Sequence, residues 1–326
     1  MIDRRSLLVG SLLAGVAAGL AGCSKPAATG QLTVGLTYIP NVQFSAFYLG
    51  VERGIFSDHG VDVVLRHHGE QEDVFGALLR GDEDVVFASA DEAMVASAGG
   101  NDLRTFATSY QTYPINVLGL DGTVTLPPNA LEMLTGKRLG IPGHFGSSYY
   151  AALCAIHQAG LTEDDVTLVD IGYTALSALE TGKVDLIVGF RNNELVQLEA
   201  RGKTPLAIPV TDPQHPDLVG PSLIARGEAV PKETLKAISA AMADAQQAVI
   251  DDPDAALDAT AKQVPALADP TQRASAGMVL EATTKMWLRD GKVDVRVDTA
   301  AFGRMGEFLT AAGVIEKAPA KPYIAL

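Results

Sequence analysis

Ala77-Leu78-Leu79-Arg80-Gly81, followed by Asp84-Val85-Val86-Phe87, recurs about a hundred residues later as Ala178-Leu179-Glu180-Thr181-Gly182 and Asp185-Leu186-Ile187-Val188. Each copy reads as the end of a helix, a glycine stop and a buried apolar strand. Working outward, the same order surrounds both copies. Residues 31–37 read as a buried strand and Tyr38-Ile39-Pro40-Asn41 as a turn-like loop, followed by a helix over 45–53 stopped by Gly54. Val61-Asp62-Val63-Val64-Leu65 is an alternating strand ahead of the first copy. In the second half, Arg138-Leu139-Gly140-Ile141 is a strand, 142–146 a loop, 147–159 a helix ended by Gly160, and 165–169 a strand. Strands alternating with short helices form βαβ units in mostly parallel sheets, so two copies predict two similar α/β lobes.

Between the copies, Ile115-Asn116-Val117-Leu118-Gly119-Leu120 is a strand able to cross from the first lobe to the second, and Pro221-Ser222-Leu223-Ile224-Ala225 is the return. This assigns 31–114 plus 221–326 to lobe 1 and 115–220 to lobe 2. Helices opened by Pro231, Pro253, Pro270 and Asp298 are expected to pack back on lobe 1. Two crossings make a hinge and a cleft that can close around a ligand.

Composition narrows the function. Of 326 residues, 47% are hydrophobic and 20% charged, enough for a sizeable core without disulfide or metal staples. Acidic residues outnumber basic ones, 39 to 25, and no basic patch is interleaved with aromatics, which excludes a nucleic-acid footprint. Two cysteines, Cys23 and Cys154, exclude a disulfide scaffold. Cys154 lies in the apolar stretch Ala151-Ala152-Leu153-Cys154-Ala155-Ile156 with no base spaced to activate it, and reads as core.

Arg4 and Arg5 precede an apolar run over 7–20, too short to cross roughly 30 Å of hydrocarbon but suited to a signal peptide. The run stops at Leu20-Ala21-Gly22-Cys23, the pattern of a bacterial lipobox. Residues 1–22 are therefore expected to be a signal peptide, Cys23 the lipidated residue, and 23–30 a tether. Asp3-Arg4-Arg5-Ser6-Leu7-Leu8 is also similar to a twin-arginine export motif. The expectation is an extracytoplasmic protein held at the cell membrane by its lipid.

In open α/β sheets, ligands bind beyond the carboxyl ends of the strands. Four loops there carry chemistry that the fold does not require: Tyr38 to Phe44, Ser89 to Glu92, Pro142 to Tyr149, and Phe190 to Glu194. Tyr110 adds a wall just before the hinge. Tyr38, Phe44, Tyr110, Tyr149 and Phe190 offer flat faces, while Asn41, Gln43, Asp91, Asn192, Asn193 and Glu194 offer directional donors and acceptors. Ser89, Gly146 and Ser147 stand at helix starts, the last two in a Gly/Ser stretch like an anion cradle. Asn41 also suits a turn, and Ser89 or Asp91 a helix cap. A planar, nitrogen-rich ring fits this set better than a sugar or a metal ion. His67-His68 reads as solvated surface, and no Ser/His/Asp order or catalytic carboxylate pair is present.

These residues resemble a known family. The lipobox, the Tyr38-Ile39-Pro40-Asn41 loop, Tyr48-Leu49-Gly50-Val51-Glu52-Arg53-Gly54-Ile55-Phe56 and Gly60-Val61-Asp62-Val63 look like solute-binding proteins of ABC importers, over about residues 31 to 315. The resemblance implies a type II periplasmic-binding-protein fold, each lobe a mostly parallel sheet flanked by helices with two hinge crossings. It also implies a small-molecule ligand, an ABC permease and its ATPase as partners, a monomer, and no cofactor. One similar branch binds thiamine-pyrimidine precursors and a sister group binds riboflavin. Tyr38 to Phe44, Gly140 to Gly146 and Asn192-Asn193-Glu194 look more like the riboflavin group, because a histidine typically stands at the position of Phe44 in the pyrimidine branch. A further branch takes sulfonates, taurine or nitrate, for which Arg191 and the start of the helix at 146–148 are the anion anchors to consider. A eukaryotic relative that makes the pyrimidine has a cysteine-rich active-site motif that this chain lacks, so a binding protein rather than an enzyme is expected. A signalling or chaperone-like lipoprotein of the same fold stays open.

Overall fold

In the computed structural model, residues 31–69, 72–212 and 215–326 are described; the expected signal peptide, Cys23 and its tether lie outside them. The first half runs β1 (Leu32–Leu36), α1 (Ser45–Glu52), α2 (Ile55–Asp58), β2 (Val63–His67), α3 (Gly76–Arg80), β3 (Val85–Ser89), α4 (Ala90–Ala98) and β4 (Leu103–Thr108). After the crossing come β5 (Ile115–Gly119), β6 (Arg138–Ile141), α5 (Gly146–Gln158), β7 (Thr167–Asp170), α6 (Ala175–Glu180), β8 (Leu186–Phe190), α7 (Glu194–Ala200) and β9 (Leu206–Pro209). The return strand β10 (Pro221–Arg226) leads to α8 (Lys232–Asp251), α9 (Pro253–Ala261), α10 (Pro270–Met286), a short hairpin of β11 (Leu288–Arg289) and β12 (Lys292–Val293), and α11 (Thr299–Ala311).

The two copies of the repeat do the same structural work. In each, the helix ends against a glycine in the left-handed region, Gly81 at φ 84° and Gly182 at φ 71°. The aspartate that opens each following strand accepts from the backbone of the neighbouring strand: Thr33 N donates to Asp84 Oδ2 at 2.8 Å, and Arg138 N donates to Asp185 Oδ2 at 2.9 Å. A carboxylate at that spot pins the start of one parallel strand to the next.

Two five-stranded sheets result, in the orders β2-β1-β3-β10-β4 and β7-β6-β8-β5-β9. The crossing strands are the antiparallel ones: β10 opposes β3 and β4, and β5 opposes β8 and β9. A strand that enters a sheet from the other lobe arrives from its far end, so it must run against its neighbours. The edge strand β4 is covered by the C-terminal tail, where Thr105 N donates to Pro322 O and Ile324 N to Thr105 O.

Apolar faces account for the layers. Helices α8, α9 and α10 bury Leu235, Ile238, Met242, Leu257 and Val279 with Phe47, Leu49 and Val34 of the first sheet's core. The helix opened by Asp298 differs from the sequence expectation. Its buried Ala301, Phe302, Met305 and Leu309 join the cluster of Ile115, Leu139, Ile141 and Ile156, in the core beside the second sheet. Its apolar stripe makes it a core-facing helix, and the tail packs on it there, with Phe302 edge-on to Tyr323 at 5.3 Å. Cys154 is fully buried in the same cluster, with its thiol raised by burial.

His67 and His68 are not solvated surface. β2 extends to His67, two residues beyond the expected strand end, which carries the pair into the fold. His68 is 4% exposed, with Nε2 2.9 Å from Glu83 Oε1, and Arg66 Nη1 donates to the same oxygen at 2.6 Å. Glu83 lies over Gly35, where any Cβ would come within 2.3 Å of the carboxylate, so β1 needs a glycine there. The half-buried His67 has Nε2 3.0 Å from the Tyr48 hydroxyl and Nδ1 3.0 Å from the Tyr38 carbonyl oxygen. It holds the loop after β1 in place, and burial lowers its pKa, which favours the neutral ring.

Candidate functional site

The carboxyl ends of the parallel strands in both sheets face one cleft of about 1150 Å³, counting the space at its mouth. Thr37 and Tyr38 reach it from the end of β1, Ser89 from β3, Pro142 from the end of β6, Gly172 and Tyr173 from beyond β7, and Phe190 from β8. Phe44, from the 3₁₀ turn Val42–Phe44, forms part of its floor. Phe44 is 6% exposed and meets His67 and Phe87 edge-on at 5.5 and 6.0 Å, so its ring orientation is set by packing.

Of the residues expected from sequence, Tyr38, Phe44, Ser89, Tyr110, Gly146, Ser147, Phe190 and Glu194 line this cleft. Four others do not. Asn41 caps the 3₁₀ turn, its Oδ1 accepting from Gln43 N at 3.0 Å. Asn192, 1% exposed, donates from Nδ2 to Thr283 Oγ1 at 2.8 Å and to the Tyr110 hydroxyl at 3.3 Å. It therefore positions Tyr110 from behind. Tyr149 packs beside His144 and Tyr150, at 5.2 and 5.8 Å between ring centroids, next to the lining residue Ser148 but outside the lining itself. Asp91, fully buried, accepts at Oδ2 from the Tyr113 hydroxyl at 2.7 Å and from Ser147 Oγ at 2.9 Å.

Glu194 opens α7, and its carboxylate turns back over the end of β8. Phe190 N donates to Oε2 at 2.7 Å and Asn193 Nδ2 to Oε1 at 3.0 Å. Burial raises its pKa, and those hydrogen bonds oppose the rise. Glu92 is the second carboxylate of the lining. It accepts from Ser89 N at 3.1 Å, closing a capping box at the start of α4. Among the described residues that line the cleft there is no Lys, Arg or His. Arg191 is exposed and does not belong to the lining.

Tyr173 was not among the residues expected, and Glu92 stood in the expected Ser89 to Glu92 loop without a role of its own. Applying the strand-end rule to β7 as well as to its neighbours points directly to Gly172-Tyr173. The Tyr173 ring meets that of Tyr38 across the cleft, with centroids 4.7 Å apart at an interplanar angle of 62°. Phe145 adds an aromatic at the mouth, half exposed. The cleft thus offers aromatic faces on two sides, acceptor carboxylates and amides between them, and no cationic side chain in its described lining. Among the described residues, no helix is long and apolar enough to cross a membrane.

Comparison with known proteins places this architecture. The fold matches that of the alkanesulfonate-binding protein SsuA from Xanthomonas axonopodis pv. citri bound to MOPS, with a TM-score of 0.68 at 15% identity over 91% of this chain and 98% of that one. The aliphatic sulphonate binding protein SsuA from Escherichia coli gives 0.67 at 14% identity, covering 91% and 92%. In sequence, the riboflavin-binding protein RibY of Chloroflexus aurantiacus is 28% identical over 294 residues, 87% of this chain and 82% of that protein. A 4-amino-5-hydroxymethyl-2-methylpyrimidine phosphate synthase of Aspergillus parasiticus is 28% identical over 161 residues, covering 46% of this chain and 43% of the synthase. Residues 41–256 match the family described as NMT1/THI5 like, a span that contains both sheets' cleft loops from Asn41 to Pro221. The chain belongs to the NMT1/THI5-like family, on the two-lobed fold of periplasmic solute-binding proteins.

Proposed function

We propose that this protein is the extracytoplasmic solute-binding component of an ABC importer, and that its solute is an aromatic N-heterocyclic vitamin, riboflavin first. The observation that carries this reading is the make-up of the cleft wall: Tyr38, Phe44, Tyr110, Tyr173 and Phe190 line it together with the acceptors Glu92 and Glu194. Aromatic faces take up a large planar ring by stacking and burial, and a carboxylate accepts from ring or exocyclic N–H groups. The solute binds between the lobes and biases the hinge toward closure, the state a permease would read. The mature chain starts at Cys23, whose lipid holds it at the membrane beside the permease and its ATPase, and it acts as a monomer. The similarity to RibY supports the flavin, as does Phe44, an apolar face where the resemblance implies a typical histidine in the pyrimidine branch.

A pyrimidine precursor of thiamine is the second reading, supported by the similarity to the pyrimidine phosphate synthase. Sulfonates are third, supported by the shape shared with SsuA, but the described lining offers no cation for the sulfonate group. Titration calorimetry of the domain from Gln31 with riboflavin and with hydroxymethylpyrimidine tests the order. Saturable binding of riboflavin at least tenfold tighter than the pyrimidine supports the first reading, and the reverse order replaces it with the second. Phe44→His is expected to narrow the preference.

A further inference from the structure

The amino end of α5 looks like an anion site that the protein has filled itself. This helix begins at Gly146 behind Phe145, which offers no side-chain cap, so its first N–H groups need acceptors from elsewhere. They face the first turn of α4, which is attached to the other sheet. Asp91 Oδ2 accepts from Ser147 Oγ at 2.9 Å, and the Ser147 backbone N–H favours the charged form of the nearby Glu92 carboxylate. Gly146 adopts φ 76°, and a Cβ on it would lie 2.9 Å from Glu92 Oε1, so the approach depends on a glycine. The same two carboxylates also stand in the first turn of their own helix, α4. The positive ends of two helix dipoles therefore converge on them.

The consequence concerns the solute. A helix start with free N–H groups favours phosphate or sulfonate. Here Glu92, itself part of the cleft lining, stands between the cleft and that helix start, and no described lining residue is cationic. An anionic solute group entering at Ser147 meets a carboxylate whose donors are already used, in a partly desolvated space where like-charge repulsion is weakly screened.

We propose that Asp91 and Glu92 act as a built-in anion at the start of α5, making the cleft select neutral solutes over their phosphorylated or sulfonated counterparts. The inference rests on the reading that this cleft is the solute site, and it holds for whichever neutral ring binds there.

Two arms test it. In the first, at pH 8, where Asp91 and Glu92 are charged, inorganic phosphate and butane-1-sulfonate are added to the wild-type domain and to the Asp91→Asn/Glu92→Gln variant, and thermal stabilisation is followed. The proposal expects no saturable stabilisation of the wild type and at least a tenfold gain in apparent affinity for one of the anions in the variant. Equal stabilisation of the two proteins overturns it, as does a folded variant that gains nothing. In the second arm, which needs no variant, the wild type is titrated with riboflavin and with its 5′-phosphate. A preference of at least tenfold for riboflavin supports the proposal, and equal affinity overturns it. Should neither flavin bind, the riboflavin reading falls while the first arm still decides the exclusion of anions.

Discussion

The ring of Tyr38, at the end of the first sheet's β1, lies 4.7 Å between centroids from the ring of Tyr173, which follows β7 in the second sheet. The two close part of the cleft from opposite sides. Edge-on aromatic contacts of this kind are worth about 0.5–1.5 kcal/mol beyond their burial. A planar solute entering the cleft meets both rings. Tyr38→Ala and Tyr173→Ala are each expected to weaken riboflavin binding at least tenfold, about 1.4 kcal/mol. Calorimetry checks this, and wild-type affinity in both variants would remove these rings from the site.

Glu194 has a double role that a pair of substitutions separates. Its carboxylate satisfies Phe190 N and Asn193 Nδ2 as well as facing the cleft. Glu194→Ala is expected to lower stability by about 1–3 kcal/mol, because the Phe190 N–H is left without its acceptor, and also to weaken solute binding at least tenfold. Glu194→Gln keeps an acceptor for Phe190 and is expected to recover most of the stability but not the affinity. Urea denaturation read beside calorimetry distinguishes the two effects. Equal recovery of both would make Glu194 purely structural.

Asp91 and Glu92 give stability a specific pH dependence. Burial pushes Asp91 up to about 6 and Glu92 to about 7, from 3.8 and 4.5, against the hydrogen bonds they accept; the Asp91 charge adds to the rise of Glu92. The titratable groups around them are Tyr113, Tyr150 and Cys154, all raised and therefore neutral across this range. The fold binds these two protons more tightly than the unfolded chain does. Their stabilising contribution is therefore complete below about pH 4 and is lost as pH rises to about 7. Relative to wild type, Asp91→Asn/Glu92→Gln is expected to gain stability steadily between pH 4 and pH 8. Parallel profiles of the two proteins in denaturant titrations would contradict the assignment.

The paired aspartates of the repeat are expected to matter unequally. Asp84 is half-buried and Asp185 exposed, although each accepts from the backbone N–H of the adjacent strand. Asp84→Ala is expected to cost about 1–2 kcal/mol and Asp185→Ala less, since water can replace the acceptor there. The Arg138 side chain and backbone hold Asp185 down at about 2. Its contribution is therefore present above about pH 4 and fades as pH falls toward 2. Urea midpoints at neutral pH check the order; a larger loss for Asp185→Ala would reverse it.

The repeat around Gly81 and Gly182 made the two sheets legible, because helix stops and apolar strands are local signals. The antiparallel entry of β5 and β10 follows from crossing between lobes, and it too could be read from order alone. Side-chain partners were less legible. Asn41 and Asn192 have the polarity of solute contacts, yet one caps a turn and the other is engaged by Tyr110 and Thr283, partners 82 and 91 residues away. His68 looked solvated because its partner, Glu83, comes from a segment beyond the next helix. Tyr173 was legible in principle, since it follows a strand end, but nothing in its neighbours sets it apart from a helix start. The amphipathic stripe of α11 identified a core-facing helix without saying which core, a choice made only when the tail packs.

A flavin ring stacked between the lobes would lose its emission, so riboflavin fluorescence reports on the proposed binding mode. Titrating riboflavin with the purified domain from Gln31 is expected to quench its fluorescence saturably, with Phe44→Ala quenching less at saturation. Emission unchanged at micromolar protein would remove the flavin from the cleft and pass the site to the pyrimidine precursors.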